Sequence, residues 1–203
     1  SACEFPLRLS YLGNTFLNNR SYQGKLTEKT EMGAELINDD SPEADAEGII
    51  MMIDCFLAAG LTDFRIDIGQ AEFYKGIMDA LEASEEVKEQ IHEYIENKNA
   101  LGMEILLSDL FMKDCYRNIL LEYNDLYGDV TMLEKAKKLT INPRCQAAIA
   151  RLEEVYEVLK LYGYEKYVSF DLGMVNHFVL EFRGTVFVPS DIASAKTGMS
   201  VAG

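Results

Sequence analysis

The side chains best suited to nucleophilic or metal chemistry in this 203-residue chain are its cysteines and histidines. No two cysteines stand at C-x-x-C spacing, and neither histidine lies near a cysteine pair; the residues are Cys3, Cys55, Cys115, Cys145, His92 and His177. A zinc site or a redox dithiol is normally marked by such spacing. Scattered reduced thiols are typical of cytosolic proteins, so the sequence predicts a cytoplasmic protein without a bound metal.

His177 is the residue that most resembles a catalytic base. General acid–base catalysis needs a reacting group or an orienting carboxylate within hydrogen-bond reach of the imidazole. The sequence offers no nucleophile or carboxylate at a recognisable spacing from His177, so we interpret it as a partly buried structural histidine. The chain also has neither a G-x-G-x-x-G stretch nor a Walker-type loop, and we predict that it uses no cofactor.

The charge balance of the chain argues against two classes of partner. The formal net charge is -15 and the pI is about 4.5, whereas nucleic-acid binding depends on Lys and Arg at phosphates. The richest cationic stretch, residues 135–138, is short and fits an exposed helix face. The longest apolar stretch, residues 48–61, carries Asp54 and is too short to span a bilayer. We therefore expect neither a nucleic acid nor a membrane as partner.

The elements that would position a site begin with two alternating segments. Residues 7–16 and 28–37 alternate between apolar and polar side chains on either side of a turn-rich segment, which predicts a long antiparallel hairpin. Ser41 and Pro42 then give a helix start, with the helix ending at Gly60.

The rest of the chain is mainly helical. Strands are predicted at 62–69, 164–170 and 178–188, and helices at 71–83, 85–97, 99–112, 116–126, 130–139 and 143–161. This order predicts an α+β fold, in which helices cover an antiparallel sheet. We expect one core over residues 1–203, a helical insertion at 71–161, and a loop or disordered tail at 189–203.

Two segments of the predicted hairpin carry a family resemblance. Residues 16–25, FLNNRSYQGK, and residues 31–35, EMGAE, resemble motif 2 of class II histidyl-tRNA synthetases and of their non-catalytic paralogues, the regulatory subunits of short-form ATP phosphoribosyltransferases. Residues 60–69 resemble the strand that ends before the regulatory subunits' helical insertion, and residues 168–174 resemble the strand that leads into the histidine-binding motif. The resemblance implies a partial class II aminoacyl-tRNA synthetase-like fold. Motifs 1 and 3 are not recognisable, so we expect a fragment.

The resemblance also implies site residues. In the synthetases the Phe of motif 2 is followed by an Arg that grips the ATP α-phosphate, and this chain has Leu17 there, a lost catalytic position. A Gln and a Glu of the synthetases contact the substrate histidine, and their places are taken here by Glu31 and Glu35. Two carboxylates could hold an ammonium or an imidazole; alternatively, both line a polar strand face. Residues 175–184 lack the synthetases' Tyr pair.

Three functional hypotheses remain open at this point. The resemblance favours a non-enzymatic regulatory subunit of ATP phosphoribosyltransferase, which would activate the short catalytic subunit and mediate histidine feedback in the first step of L-histidine biosynthesis. Its partners would be that catalytic subunit and L-histidine, and the parent would be a homo-oligomer. The second hypothesis is a divergent histidyl-tRNA synthetase. The third is an acidic α+β interaction module that shares only the scaffold.

Overall fold

The computed structural model describes residues 6–16, 28–174, 180–182 and 185–187. The strands are Leu7–Phe16 (β1), Glu28–Ile37 (β2), Ile66–Ile68 (β3), Tyr127–Gly128 (β4), Val168–Asp171 (β5), Leu180–Phe182 (β6) and Thr185–Phe187 (β7). The helices are Pro42–Ala58 (α1), Ala71–Ala80 (α2), Glu85–Glu96 (α3), Ala100–Asp109 (α4), Asp114–Leu121 (α5), Thr131–Leu139 (α6) and Pro143–Leu161 (α7). Short 3-10 turns lie at Tyr123–Asp125 and Glu165–Tyr167. The predicted α+β class is confirmed.

The first two strands form a sheet of their own. β1 and β2 pair antiparallel along their whole length, from Leu7 opposite Ile37 to Phe16 opposite Glu28. Both strands have the predicted bounds. This two-stranded sheet is called the hairpin sheet below.

Helix α1 begins where its capping residues predict. The Ser41 hydroxyl accepts a hydrogen bond from the Ala44 N–H at 3.2 Å, and Pro42 occupies the first turn. Together these features satisfy an N–H group that has no partner inside the helix and fix φ at the first position. The buried side of α1 then faces the core, through Ala44, Ala46, Ile49 and Ile53.

The remaining strands form a second sheet in the order β4-β5-β3-β6-β7. Neighbouring strands are antiparallel except β3 and β5, which run parallel with Ile66 beside Val168. Two predicted strands are too long: residues 62–65 precede β3 as loop, and Glu165–Tyr167 is a 3-10 turn. The single strand predicted at 178–188 is wrong, because this range holds two antiparallel strands, β6 and β7. Phe64 and Tyr167 continue the apolar alternation of the sequence beyond the strands. Their rings stack on one another, but within the described ranges their backbones do not pair with a neighbouring strand.

The six helices predicted between the sheet strands are all present, with ends that differ by a few residues. Helix α4 ends at Asp109 and not at residue 112. The Arg117 guanidinium donates to the carbonyls of Leu107 and Leu110 and so caps this end of the helix. Tyr123–Asp125, predicted as part of a helix, form a 3-10 turn that leads through Leu126 into β4.

Helix α7 is the centre of the core. It packs against α1 and α2, and its buried side chains are Cys145, Ala148, Ile149, Leu152, Val155 and Leu159. Helices α7 and α1 contribute to the same core. The insertion boundary at 71–161 stays a prediction. The predicted tail at 189–203 lies outside the described residues.

Candidate functional site

The two candidate carboxylates lie on one face of the hairpin sheet. Glu31 is opposite Gly13 and Glu35 is opposite Leu9, and both side chains are half-buried. Side chains four residues apart on a strand share a face and stand roughly 13 Å apart at their Cα atoms. Among the described residues, neither carboxylate makes a hydrogen bond or an ion pair. The structure therefore leaves both of them able to receive donors.

A tyrosine ring lies between these carboxylates. Tyr11 is opposite Gly33, and a Cβ atom built on Gly33 would come within 2.5 Å of the Tyr11 ring and hydroxyl. Only a residue without a side chain allows the ring this position over β2. Along this face the Tyr11 ring lies between Glu31 and Glu35, with one carboxylate on each side of the aromatic ring.

The hairpin sheet is attached to α1 by an ion pair. The Arg8 Nε and Nη2 atoms donate to the two Glu47 carboxylate oxygens at 2.5 and 2.6 Å. This bidentate pair of hydrogen bonds between a guanidinium and a carboxylate holds the pKa of Glu47 below its usual range. Helix α1 is in turn tied to α7, because Arg151 donates to the Asp45 carboxylate at 2.8 Å.

A second group of polar residues, not found from the sequence, is buried in the five-stranded sheet. Asp67 on β3 and Ser169 on β5 are neighbours in the parallel register, and the Ser169 hydroxyl donates to the Asp67 carboxylate. Asp171, at the end of β5, accepts from Gly173 N–H at 2.8 Å and from Lys98 Nζ at 3.1 Å. Polar residues at alternate positions of apolar strands were the available signal, but the pairing of β3 with β5 was not predictable from it.

Some of the other candidate residues lie outside the described part of the chain, and the rest lie on helices, apart from the two carboxylates. Leu17, His177 and Cys3 lie outside the described residues. His92 lies 3.5 Å from the Glu96 carboxylate and beside the Tyr74 ring, as part of the surface of α3. Cys55 and Cys115 are exposed free thiols, and burial raises the pKa of the Cys145 thiol.

Neither a metal site nor a membrane span is seen in the described part of the chain. There, no group of three or more His, Cys, Asp or Glu side chains is placed to hold a metal ion. None of the helices in those ranges is long and apolar enough to cross a bilayer.

Comparisons with known proteins agree on one family. The chain matches the histidyl-tRNA synthetase family over residues 1–188. It is 40% identical over 183 residues to the ATP phosphoribosyltransferase regulatory subunit of Acetivibrio thermocellus, covering 90% of this chain and 44% of that protein. It is 36% identical over 185 residues to the protein of the same name from Clostridium acetobutylicum, covering 90% of this chain and 45% of that protein.

A solved structure extends the agreement to the fold. The ATP phosphoribosyltransferase regulatory subunit/histidyl-tRNA synthetase from Bacillus halodurans C is similar with a TM-score of 0.78 and 30% identity, over 88% of this chain and 48% of that one. The chain thus spans less than half the length of these relatives. The fold is the class II synthetase-like one that motif 2 predicts, and with a family match from residue 1 to residue 188 the chain belongs to the histidyl-tRNA synthetase family.

Proposed function

We propose that this chain is the synthetase-like core of a non-enzymatic regulatory subunit, which assembles with a short ATP phosphoribosyltransferase, activates it and conveys feedback inhibition by histidine. The observation that carries the proposal is the 40% identity over 90% of the chain with a protein named ATP phosphoribosyltransferase regulatory subunit. In this proposal the protein works in the cytoplasm as a homo-oligomer. Its net charge of -15 would favour encounter with a more basic partner surface.

Leu17 favours regulation over catalysis. A leucine has no donor and no charge, so it does not replace an arginine that binds a phosphate through two parallel hydrogen bonds. Removing one preorganised donor of this kind from an active site costs about two to three orders of magnitude in rate. The alternative, a divergent histidyl-tRNA synthetase, has in its favour the family match and part of the name of the similar Bacillus halodurans structure.

The hairpin sheet supports a role in histidine binding. Histidine carries donor groups at two ends, the α-ammonium and the imidazole, and the face holds carboxylates on either side of the Tyr11 ring. We assign Glu35 to one donor group and Glu31 to the other, with the aromatic ring between them in contact with the imidazole or the ammonium. Each carboxylate needs only one hydrogen bond to a charged donor for the ligand to be held in a fixed orientation.

Feedback in this proposal is a coupling between two sites. Histidine inhibits only if it binds one assembly state of the complex more tightly than the other. The ion pair of Arg8 with Glu47 and that of Arg151 with Asp45 join the hairpin sheet to α1 and α1 to α7. A shift of the hairpin sheet on ligand binding would therefore act on the helical core.

The experiment that tests the proposal measures formation of phosphoribosyl-ATP by the organism's short ATP phosphoribosyltransferase, with and without the full-length protein and with and without L-histidine. We expect the protein to raise the rate and to make it sensitive to histidine. If it does neither, the proposal is wrong, and histidine-dependent ATP–pyrophosphate exchange then tests the synthetase alternative.

The histidine site is tested separately with two matched variants. Glu35→Gln removes the charge on the proposed binding face, whereas Glu28→Gln makes the same change on β2 but on the opposite face. We expect Glu35→Gln to raise the histidine concentration for half inhibition about tenfold, the usual value of a hydrogen bond to a charged group, and Glu28→Gln to leave it unchanged. Equal effects of the two variants would contradict the assignment of Glu35.

A further inference from the structure

A cavity lies at the amino ends of β3 and β5 in the five-stranded sheet, and its lining includes neither Glu31 nor Glu35. Its volume is about 550 Å³. The lining residues are Thr62, Asp63, Phe64, Arg65, Lys166 and Tyr167. They come from the two segments that immediately precede β3 and β5. These strands are parallel neighbours, so the segments before them meet at the same edge of the sheet. Cavities of this size hold small-molecule ligands, and this one has room for more than a single ion.

Two cations line the cavity without being neutralised by an ion pair. Most described lysines and arginines pair with a carboxylate, as expected in a chain with 34 acidic and 19 basic residues. Within the described ranges, however, Arg65 and Lys166 make no ion pair and no side-chain hydrogen bond. An excess of carboxylates makes two unpaired cations at one cavity an informative arrangement.

The negative groups nearby do not take up the hydrogen-bond donors of these cations. Asp63 lines the same cavity, which leaves the lining with two positive charges and one negative. Asp129 lies within Coulombic range of Arg65, but the hydroxyl and N–H of Thr131 hold its carboxylate, and those bonds are the main reason that the pKa of Asp129 is lowered. The guanidinium of Arg65 therefore keeps its donors available.

An aromatic pair lines the cavity and contacts one of the two cations. Phe64 is buried, and its ring stacks on Tyr167 at a centroid distance of 4.7 Å while meeting Phe56 of α1 edge-on at 5.2 Å. Lys166 Nζ lies 4.8 Å from the centroid of the Tyr167 ring, within reach of a cation–π interaction. Since the Tyr167 ring is already engaged by Phe64 and Lys166, the cations and not the ring provide the means of recognition.

From this arrangement we infer that the cavity binds the phosphoryl group of a small phosphorylated molecule. The Arg65 guanidinium offers a planar pair of donors, Lys166 a point charge, and Thr62 a hydroxyl, which together suit the tetrahedral oxygens of a phosphate dianion. The site is independent of the proposed regulatory function, because it contains neither Glu31 nor Glu35 and needs no catalytic subunit.

The test is calorimetric titration of the full-length protein, without any catalytic subunit, with inorganic phosphate and with glucose 6-phosphate at constant ionic strength. We expect saturable binding. Tighter binding of glucose 6-phosphate would identify the phosphoryl group of an organic ligand, and equal affinity would identify free phosphate as sufficient. The double variant Arg65→Gln, Lys166→Gln should weaken binding at least tenfold, since each charged hydrogen bond contributes about that factor.

The matched control is the double variant Lys113→Gln, Lys138→Gln. These two lysines are exposed, make no ion pair in the described part of the chain, and lie outside the cavity lining. Each double variant removes two positive charges, so the change in net charge is the same. We expect the control to bind like the parent protein. The inference is overturned if neither ligand binds saturably, or if the two double variants weaken binding equally. Because Arg65 and Lys166 are exposed, both variants should fold.

Discussion

The hairpin sheet and the helical core around α7 use apolar side chains in opposite ways. In the core, Ile149 and Leu159 are fully buried. In the hairpin sheet, Leu12 is 76% exposed and lies on one face, while Leu9 is 47% exposed and lies on the other. A two-stranded sheet with neither face covered is marginal by itself. The hairpin sheet therefore depends on its register and on its attachment to α1, and the core depends on burial.

The difference separates stability from the proposed histidine site. Glu31 and Glu35 stand on a sheet that contributes little buried apolar surface, so their replacement should not unfold the helical core. Regions that bind ligands are commonly of lower local stability than the core that carries them. Substitutions of the same kind, made once in each region, test this separation.

The largest expected contrast is between Ile149→Ala in α7 and Leu12→Ala in β1. Ile149 is 0% exposed, and its truncation leaves a cavity among packed neighbours, which should lower the free energy of unfolding by about 2–5 kcal/mol. Leu12→Ala removes side-chain atoms that are already in water, and should change it by less than about 0.5 kcal/mol. Urea denaturation of both variants measures the contrast.

A comparable loss from both substitutions would show that the comparison is wrong. It would mean that Leu12 is buried in solution by a contact that the described residues do not make. The slope of the unfolding curve gives a further check, because it scales with the surface exposed on unfolding and should be unchanged in both variants.

Gly→Ala substitutions give the next largest contrast. A Cβ on Gly76 of α2 would lie 2.8 Å from Cys145 Sγ and 3.2 Å from the Cys145 backbone nitrogen, where α2 packs against α7. Overpacking of this kind costs about 1–3 kcal/mol, of which the better helix propensity of Ala returns about 1 kcal/mol. A net loss near 1 kcal/mol is expected.

Gly33→Ala in the hairpin sheet should cost less than Gly76→Ala. The added Cβ would meet the far end of the Tyr11 side chain, which is 41% exposed and can rotate away. The free energy of unfolding should change by less than about 0.5 kcal/mol, while nuclear magnetic resonance should show the Tyr11 ring resonances moving. If Gly33→Ala is the more destabilising of the two, the Tyr11 ring is held in place more firmly than its exposure indicates.

The sequence was informative about elements and less so about their pairing. Alternation, the Ser41 cap and apolar helix faces predict strands β1 and β2, helix α1 and all six later helices. The pairing of β3 with β5 joins Asp67 to Ser169, which are 102 residues apart, and local patterns contain no such information. The same pairing brings together the two segments that line the cavity. The sequence therefore did not indicate that Arg65 and Lys166 line one cavity.

The candidate site was predictable for a different reason. Glu31 and Glu35 were located through a family motif, and the strand period then placed both on one face, as the structure has them. The position of Tyr11 over Gly33 was not predicted, because it depends on which residues lie opposite one another across the two strands. Their role in binding histidine stays a proposal.

Tyrosine hydroxyls give a smaller contrast. Tyr123 is 1% exposed, and its hydroxyl has no hydrogen-bond partner among the described residues. Burial also raises the pKa of Tyr123 well above its usual range, so the hydroxyl stays neutral. Tyr123→Phe removes an unsatisfied polar group and should raise the free energy of unfolding by up to about 1 kcal/mol. Tyr11→Phe, in the exposed hairpin sheet, should leave it unchanged. A clear loss of stability in Tyr123→Phe, measured by urea denaturation, would reveal a partner such as a bound water.

The smallest expected effect concerns the attachment of the hairpin sheet to α1. The hydrogen bond from Arg8 lowers the pKa of Glu47 from its ordinary value of 4.5, so the ion pair stabilises the folded state above that pH and is lost as the pH falls through the lowered pKa. Both side chains are about half exposed, and such pairs contribute less than about 1 kcal/mol. Glu47→Gln should therefore reduce the hydrogen-exchange protection of β1 and β2 amides by no more than about fivefold at pH 7, and by progressively less as the pH falls through the lowered pKa of Glu47. Glu104→Gln, an exposed carboxylate of α4, is the control and should leave these amides unchanged. A loss of protection that persists at low pH would mean that Glu47 holds the hairpin sheet by packing and not by charge.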